Sequence, residues 1–286
     1  MAIERVGVVG CGLMGSGIAE VSARAGTDVV VVERDQAALD DGRRRIENSL
    51  ARAVQAGKID GATRDAAIGR LRFTTDYAEL SDRHVVVEAV VESEPDKVQV
   101  FSLLDEIVAD ADPIFASNTS SIPIMKLAMA TSRPERVVGM HFFNPVPVLR
   151  LVELIPSLLT SPDTLEQAAA FATGALHKRV IFSQDRAGFV VNALLIPYLL
   201  SAIRMMESGF ASAEDIDAGM VEGCAHPMGP LALADLIGLD TTAAVAQSLY
   251  EEFKEPLYAP PPLLSRMVEA GLLGRKTGRG FFNYKR

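Results

Sequence analysis

Val6-Gly7-Val8-Val9-Gly10-Cys11-Gly12-Leu13-Met14-Gly15-Ser16-Gly17-Ile18 sets a short apolar run directly before a glycine-rich turn and the start of an amphipathic segment. The run has the length and composition of a strand. Beyond it, Ile18, Val21 and Ala25 share one helical face, and Gly26 is a stop signal. Val29-Val30-Val31-Val32 follows, closed by Glu33. An uninterrupted apolar run of this kind suits a strand buried on both faces, as in a parallel sheet covered by helices. Residues 1–33 therefore read as one βαβ unit.

The glycine spacing gives that unit a chemistry. Gly10 permits a tight turn, Gly12 lets backbone approach a pyrophosphate, and Gly15 lets the helix pack close to the strand. Leu13 and Met14 lie in the same loop, where the helix N-terminus offers N–H groups and partial positive charge to phosphates. Glu33 ends the second strand, placed to accept hydrogen bonds from an adenosine ribose, which favours NAD over NADP. Arg34 beside it keeps NADP open as the less favoured cofactor. Cys11 reads as a small tolerated residue rather than a redox switch.

Outward from the unit, residues 36–70 form a polar insert patterned as two helices around Gly57 and Gly61, longer than a plain crossover needs. Strands are expected at Leu71–Phe73, Val85–Ala89 and Ile114–Ala116. A helix is expected from Pro95 to about Ala109, capped by Ser93. Val137–Phe142 and Leu149–Ile155 read as two strands of a hairpin around Asn144-Pro145-Val146-Pro147. A helix from about Pro162 to Leu176 and a strand at Val180–Phe182 follow. From about Ala187 strand signals vanish. The expected architecture is α/β: a mostly parallel, doubly wound (Rossmann-type) sheet domain over 1–184, then an all-helical domain over 185–286.

With 286 residues, 49% apolar and 23% charged, the chain has the balance of a folded protein of one or two domains. A net charge of −9 argues against general affinity for nucleic acid or an acidic membrane surface. Two cysteines, Cys11 and Cys224, and four scattered histidines give neither a disulfide framework nor a metal-ligand spacing. Because the opening residues enter a strand almost at once, no signal peptide is expected. The most apolar stretch, Phe189–Met206, carries Asn192, Pro197 and Arg204 and reads as a buried helix rather than a membrane span. A cytoplasmic protein is expected. The insert is the local exception in charge: from Arg43 to Arg72 there are eight basic and three acidic residues. A patch of this kind suits a small polyanion, or is a solvated helix face.

His141 and Glu153 fall on the two strands of the expected hairpin. A carboxylate beside an imidazole fixes its tautomer and stabilises its charged form, as a general base requires; a structural His–Glu pair has the same pattern. Asn118-Thr119-Ser120-Ser121 follows a strand whose carboxyl end is where open α/β sheets bind ligands. Asn192 puts an amide in an apolar helix, where it must find a partner.

Taken together, Gly10–Ala19, Ser117–Ser121, His141–Pro147, Gly188–Asn192, Pro227–Pro230 and Lys276–Phe281 resemble the L-3-hydroxyacyl-CoA dehydrogenase family, over essentially the whole chain and closest to its short 3-hydroxybutyryl-CoA members. The resemblance implies an NAD-dependent enzyme interconverting (S)-3-hydroxyacyl-CoA and 3-oxoacyl-CoA. His141 matches the family's catalytic base and Glu153 the acid that orients it. Ser120 and Asn192 match residues around the substrate's 3-oxygen. Glu33, Glu92, Lys97, Ser120, Asn144 and Lys276 match positions associated with NAD, though the family often has aspartate at Glu33. Ser49 and Lys58 fall near the coenzyme A contact. The resemblance also implies a homodimer formed through the helical domain. Rival readings are a 3-hydroxyacid or sugar-acid dehydrogenase that uses no thioester, and an NAD-binding protein without catalysis.

Overall fold

The Val29–Val32 run lies in the middle of a sheet. In the computed structural model, which describes residues 3–108 and 112–284, β1 (Arg5–Val9) pairs in parallel with β2 (Asp28–Val32) on one side and β4 (Val85–Glu88) on the other. All four valines of the run are fully buried. Each such side chain contributes about 1.5–3 kcal/mol by leaving water. β3 (Leu71–Thr74), β5 (Ile114–Ser117), β6 (Val137–Phe142), β7 (Leu151–Pro156) and β8 (Arg179–Phe182) complete the sheet in the order β3-β2-β1-β4-β5-β6-β7-β8. Only β6 and β7 pair antiparallel, so β1 to β6 present their carboxyl ends along one edge.

Helices cover the sheet. α1 (Leu13–Arg24) follows the glycine turn and ends at Gly26, whose φ of +94° only glycine adopts without strain. α2 (Gln36–Gln55) and α3 (Gly61–Gly69) form the insert, each capped by an aspartate: Asp35 accepts from Ala38 N and Asp60 from Thr63 N. Leu39, Ile46 and Leu50 bury one face of α2, leaving the basic residues on the other. α4 (Glu94–Ile107), α5 (Ile124–Ala128) and α6 (Pro162–Ala170) complete this unit.

Several expectations are corrected in detail. Ser93 occupies the N-cap of α4 but its side chain makes no capping bond there. The expected end of α4 at Ala109 lies outside the described residues. The helix expected to Leu176 instead changes winding: Phe171–Ala175 forms a π-helical turn after α6. β7 starts at Leu151 rather than Leu149, because Val148 N and Leu149 N are taken by Pro145 O.

The chain divides into two units between Arg186 and Ala187. The second contains α7 (Val191–Glu207), α8 (Ala213–Cys224), α9 (Pro230–Ile237), α10 (Leu239–Phe253) and α11 (Pro262–Glu269). Its core gathers Ile196, Leu199, Leu200, Ile203, Leu231, Leu239, Leu249 and Leu264. Two buried acids fix its turns. Asp217 accepts from Leu231 N and Ala232 N, and only a residue without Cβ at Gly229 leaves room for it. Asp235 accepts from Phe281 N, Phe282 N and the Tyr284 hydroxyl, fastening the last strand-like segment, where Arg279 bridges to Gly274 and Asn283. Those bridges are a small departure from an all-helical unit. Among the described residues, no helix is long and apolar enough to cross a membrane.

Candidate active site

The β6–β7 register decides the central geometry. His141 stands opposite Glu153, and the imidazole Nδ1 lies 2.7 Å from Glu153 Oε2. Glu153 is fully buried and His141 is 6% exposed. A carboxylate at Nδ1 assigns the proton to that nitrogen and leaves Nε2 as the basic one. Phe143 packs against the imidazole with ring centroids 4.5 Å apart.

Next along the sheet edge, the loop after β5 is held between carboxylates. Glu92 Oε1 accepts from the Thr119 hydroxyl at 2.6 Å, Ser120 N at 2.9 Å, Ser121 N at 3.2 Å and the Ser121 hydroxyl at 3.1 Å. The Ser120 hydroxyl is 3.3 Å from the same oxygen. Beneath the loop, Ser117 Oγ donates to the fully buried Glu88 and accepts from Thr119 N. Lys97 Nζ joins the two acids, 2.6 Å from Glu88 and 3.3 Å from Glu92. Asn118 Oδ1 accepts from Phe142 N at 2.9 Å, tying the loop to the strand that carries His141. Burial works to raise the Glu92 carboxyl, but Lys97 and the Thr119 and Ser120 donors outweigh it and hold the group below its ordinary range.

Lys97 therefore departs from a direct cofactor contact. Its side chain is 1% exposed and enclosed by two carboxylates, because a buried ammonium must be paired. Sequence reasoning missed Glu88. Its signal was available: like Glu33, it is an acid closing an apolar strand.

The glycine turn fits a dinucleotide. No side chain caps the N-terminus of α1 and no acid lies in its first turn, so its N–H groups face outward. Space is open where a Cβ at Gly12 would stand, whereas a Cβ at Gly15 would lie 1.8 Å from Gly10 O. Leu13 is exposed beside this opening, while Met14 packs toward the core. Glu33 is oriented over the turn by Cys11 N at 2.6 Å and Arg34 N at 3.0 Å. The Arg34 guanidinium turns to Asp35 instead, which leaves a carboxylate where a 2′-phosphate would have to sit. Burial, then the nearby Glu33, pushes the Cys11 thiol up to about 12.

A pocket of about 200 Å³ opens between α1, α2 and the Asn144–Pro147 turn, lined among others by Leu13, Glu20, Arg45, Ser49, Arg52 and Asn144. Arg45, Ser49 and Arg52 recur at helical spacing on one face of α2. Lys58 is not among the lining residues: it lies beyond the end of α2, exposed after Gly57. Arg45 and Arg52 are the pocket's cationic side chains. Elsewhere in the insert, Arg44, Arg64 and Arg72 pair with neighbouring acids and Arg43 stacks on Phe73.

In the second unit, Asn192 lies in the first turn of α7 and is half-buried, so it does not carry the cost of an amide in an apolar helix interior. Lys276 is paired with both oxygens of Asp240 at 2.5 Å.

A doubly wound sheet with an uncapped helix N-terminus, an acid closing the second strand and an oriented imidazole on one edge defines a dinucleotide-dependent oxidoreductase. Residues 5–186 match the 3-hydroxyacyl-CoA dehydrogenase NAD-binding domain and residues 188–284 its C-terminal domain. The chain belongs to the 3-hydroxyacyl-CoA dehydrogenase family, and its cofactor is NAD. It is 60% identical to a Mycobacterium tuberculosis 3-hydroxybutyryl-CoA dehydrogenase over 283 residues, 99% of each chain. A probable 3-hydroxybutyryl-CoA dehydrogenase of Deinococcus radiodurans is 46% identical over 98% of this chain and 100% of its own. The crystal structure of M. tuberculosis FadB2 superposes with a TM-score of 0.99 at 60% identity, covering 100% of both chains.

Proposed function

We propose that the chain interconverts (S)-3-hydroxybutyryl-CoA and acetoacetyl-CoA, with His141 as general base. The observation that carries this reading is the 2.7 Å contact between His141 Nδ1 and Glu153 on the carboxyl edge of the sheet. His141 Nε2 takes the proton of the 3-hydroxyl, and Glu153 stabilises the positive charge that forms. In the reductive direction the same imidazolium returns the proton to the ketone oxygen. Bound NAD supplies the nicotinamide that accepts the hydride from C3.

The other assignments follow the family pattern. Gly10, Gly12, Leu13, Met14 and Gly15 surround the pyrophosphate, and Glu33 takes the adenosine ribose. Glu92, Asn144 and Lys276 serve NAD, with Lys97 acting through Glu92. Ser120 and Asn192 hold the substrate's 3-oxygen. Ser49, with Arg45 and Arg52 in place of Lys58, receives the anionic part of coenzyme A, supplying binding energy remote from the reacting carbon. Residues 185–286 form the substrate and dimerisation domain of a homodimer. The exposed Leu194 and Phe210 support that assignment. Free thiols at Cys11 and Cys224 support a cytoplasmic location.

The test is NADH oxidation with acetoacetyl-CoA, run beside free acetoacetate and beside NADPH. Turnover of the thioester with NADH alone is expected. NADH binding without thioester turnover would reject the reading in favour of a free-acid enzyme or a non-catalytic NAD protein.

A further inference from the structure

Lys178 is a buried cation that the chemistry above does not use. It follows the π-helical turn, where His177 has a φ of +52° and Lys178 N donates to Ala172 O. Its side chain turns inward, leaving the residue 8% exposed. Nζ donates to Val146 O at 2.5 Å and to Leu149 O at 2.6 Å. These two carbonyls lie within the connection between β6 and β7, the segment whose Asn144, Pro145, Val146 and Pro147 form one wall of the pocket.

The same segment is seated from the other side by α1. A Cβ at Gly17 would stand 2.8 Å from Val146 Cβ, so the absence of a side chain lets the turn lie against the helix. The turn is thus clasped between the Gly17 notch and the Lys178 ammonium. Burying an ammonium is costly, and burial together with the Arg24 charge lowers the Lys178 group while Glu20 opposes them. Charge-assisted bonds to two carbonyls are the return on that cost.

We propose that Lys178 is a positioning residue for the pocket: it sets the wall formed by the Asn144–Leu149 turn, and through it the affinity for the coenzyme A thioester. The inference rests on the reading of the pocket given under the proposed function. His141 is secured separately, by the β6–β7 ladder, by Glu153 and through Asn118. Loss of Lys178 should therefore move substrate affinity and spare the chemical step.

The experiment compares wild type, Lys178→Met and Lys178→Arg in acetoacetyl-CoA reduction, with NADH binding by fluorescence titration and thermal unfolding alongside. Lys178→Met is expected to raise KM for acetoacetyl-CoA about 10-fold, which corresponds to about 1.4 kcal/mol of lost thioester binding. Its kcat should stay within about 3-fold, NADH affinity, to which this turn contributes only Asn144, should fall by less than the KM rises, and Lys178→Arg should recover part of the KM. Gly17→Ala, which pushes the turn from the opposite side, should reproduce the KM effect. If Lys178→Met does not fold, Lys178→Gln keeps a donor for one carbonyl and carries the same test. A folded variant with wild-type KM and only a lower Tm overturns the proposal, as does a parallel fall in kcat and NADH affinity. An inactive wild-type enzyme would defeat the functional reading itself, and is seen before any variant is made.

Discussion

His141 and Glu153, twelve positions apart in sequence, face each other across the one antiparallel pair of the sheet, with Nδ1 and Oε2 2.7 Å apart. The carboxylate is wholly buried, so the contact is not diluted by water. His141→Ala should lose at least about 10² in turnover while keeping NADH affinity, since general base catalysis is worth roughly 10²–10⁴. Glu153→Gln should lower kcat with little change in KM, because it removes charge stabilisation that matters as the imidazolium forms. Stopped-flow reduction of acetoacetyl-CoA separates the two effects; full activity in either variant removes that residue from the mechanism.

Two glycines of one motif should fail in opposite ways. Gly15→Ala places a Cβ 1.8 Å from Gly10 O, so the backbone must move and thermal stability should fall steeply. Gly12→Ala meets nothing within 4 Å. That variant should keep its Tm within a few degrees yet lose NADH affinity, read by fluorescence titration, since the added methyl enters the space left for the pyrophosphate.

Glu92 gives a pH prediction with a definite sign. Its carboxyl is held below the ordinary 4.5 although burial opposes this, because Lys97 and the Ser120 loop favour the charged form. The stabilisation is fully present above the ordinary carboxylate range and is lost as pH falls through the lowered value. Glu92 should therefore stay ionised from about pH 8 to pH 5, and Glu92→Gln, which weakens the grip on Lys97 and on the loop, should reduce NADH affinity about tenfold, by the same factor at both ends of that range, as loss of a charge-assisted bond implies.

The two thiols should differ in reactivity. Cys11 is buried and pushed up to about 12, leaving almost no thiolate at neutral pH, whereas Cys224 is exposed. Mild iodoacetamide treatment followed by peptide mass spectrometry should find label on Cys224 and none on Cys11; labelling of Cys11 in the native protein would contradict its enclosure.

Much of this was legible along the chain because it depends on short-range pattern. The valine run from Val29 to Val32 announces a strand buried on both faces, and Gly10, Gly12 and Gly15 announce the turn, since backbone geometry and burial act over a few residues. The hairpin around Asn144–Pro147 brought His141 and Glu153 into one register for the same reason. Other features required the assembled sheet. Glu88, Lys97 and Glu92 come together only where the end of β4 meets the loop after β5, and nothing in their spacing tells which acid is sealed and which faces the edge. Lys58 and Lys178 are each ordinary lysines in sequence. One is exposed beyond the end of a helix, the other buried under a turn 29 positions away, because desolvation and pairing are set by what packs around a charge rather than by its neighbours in the chain.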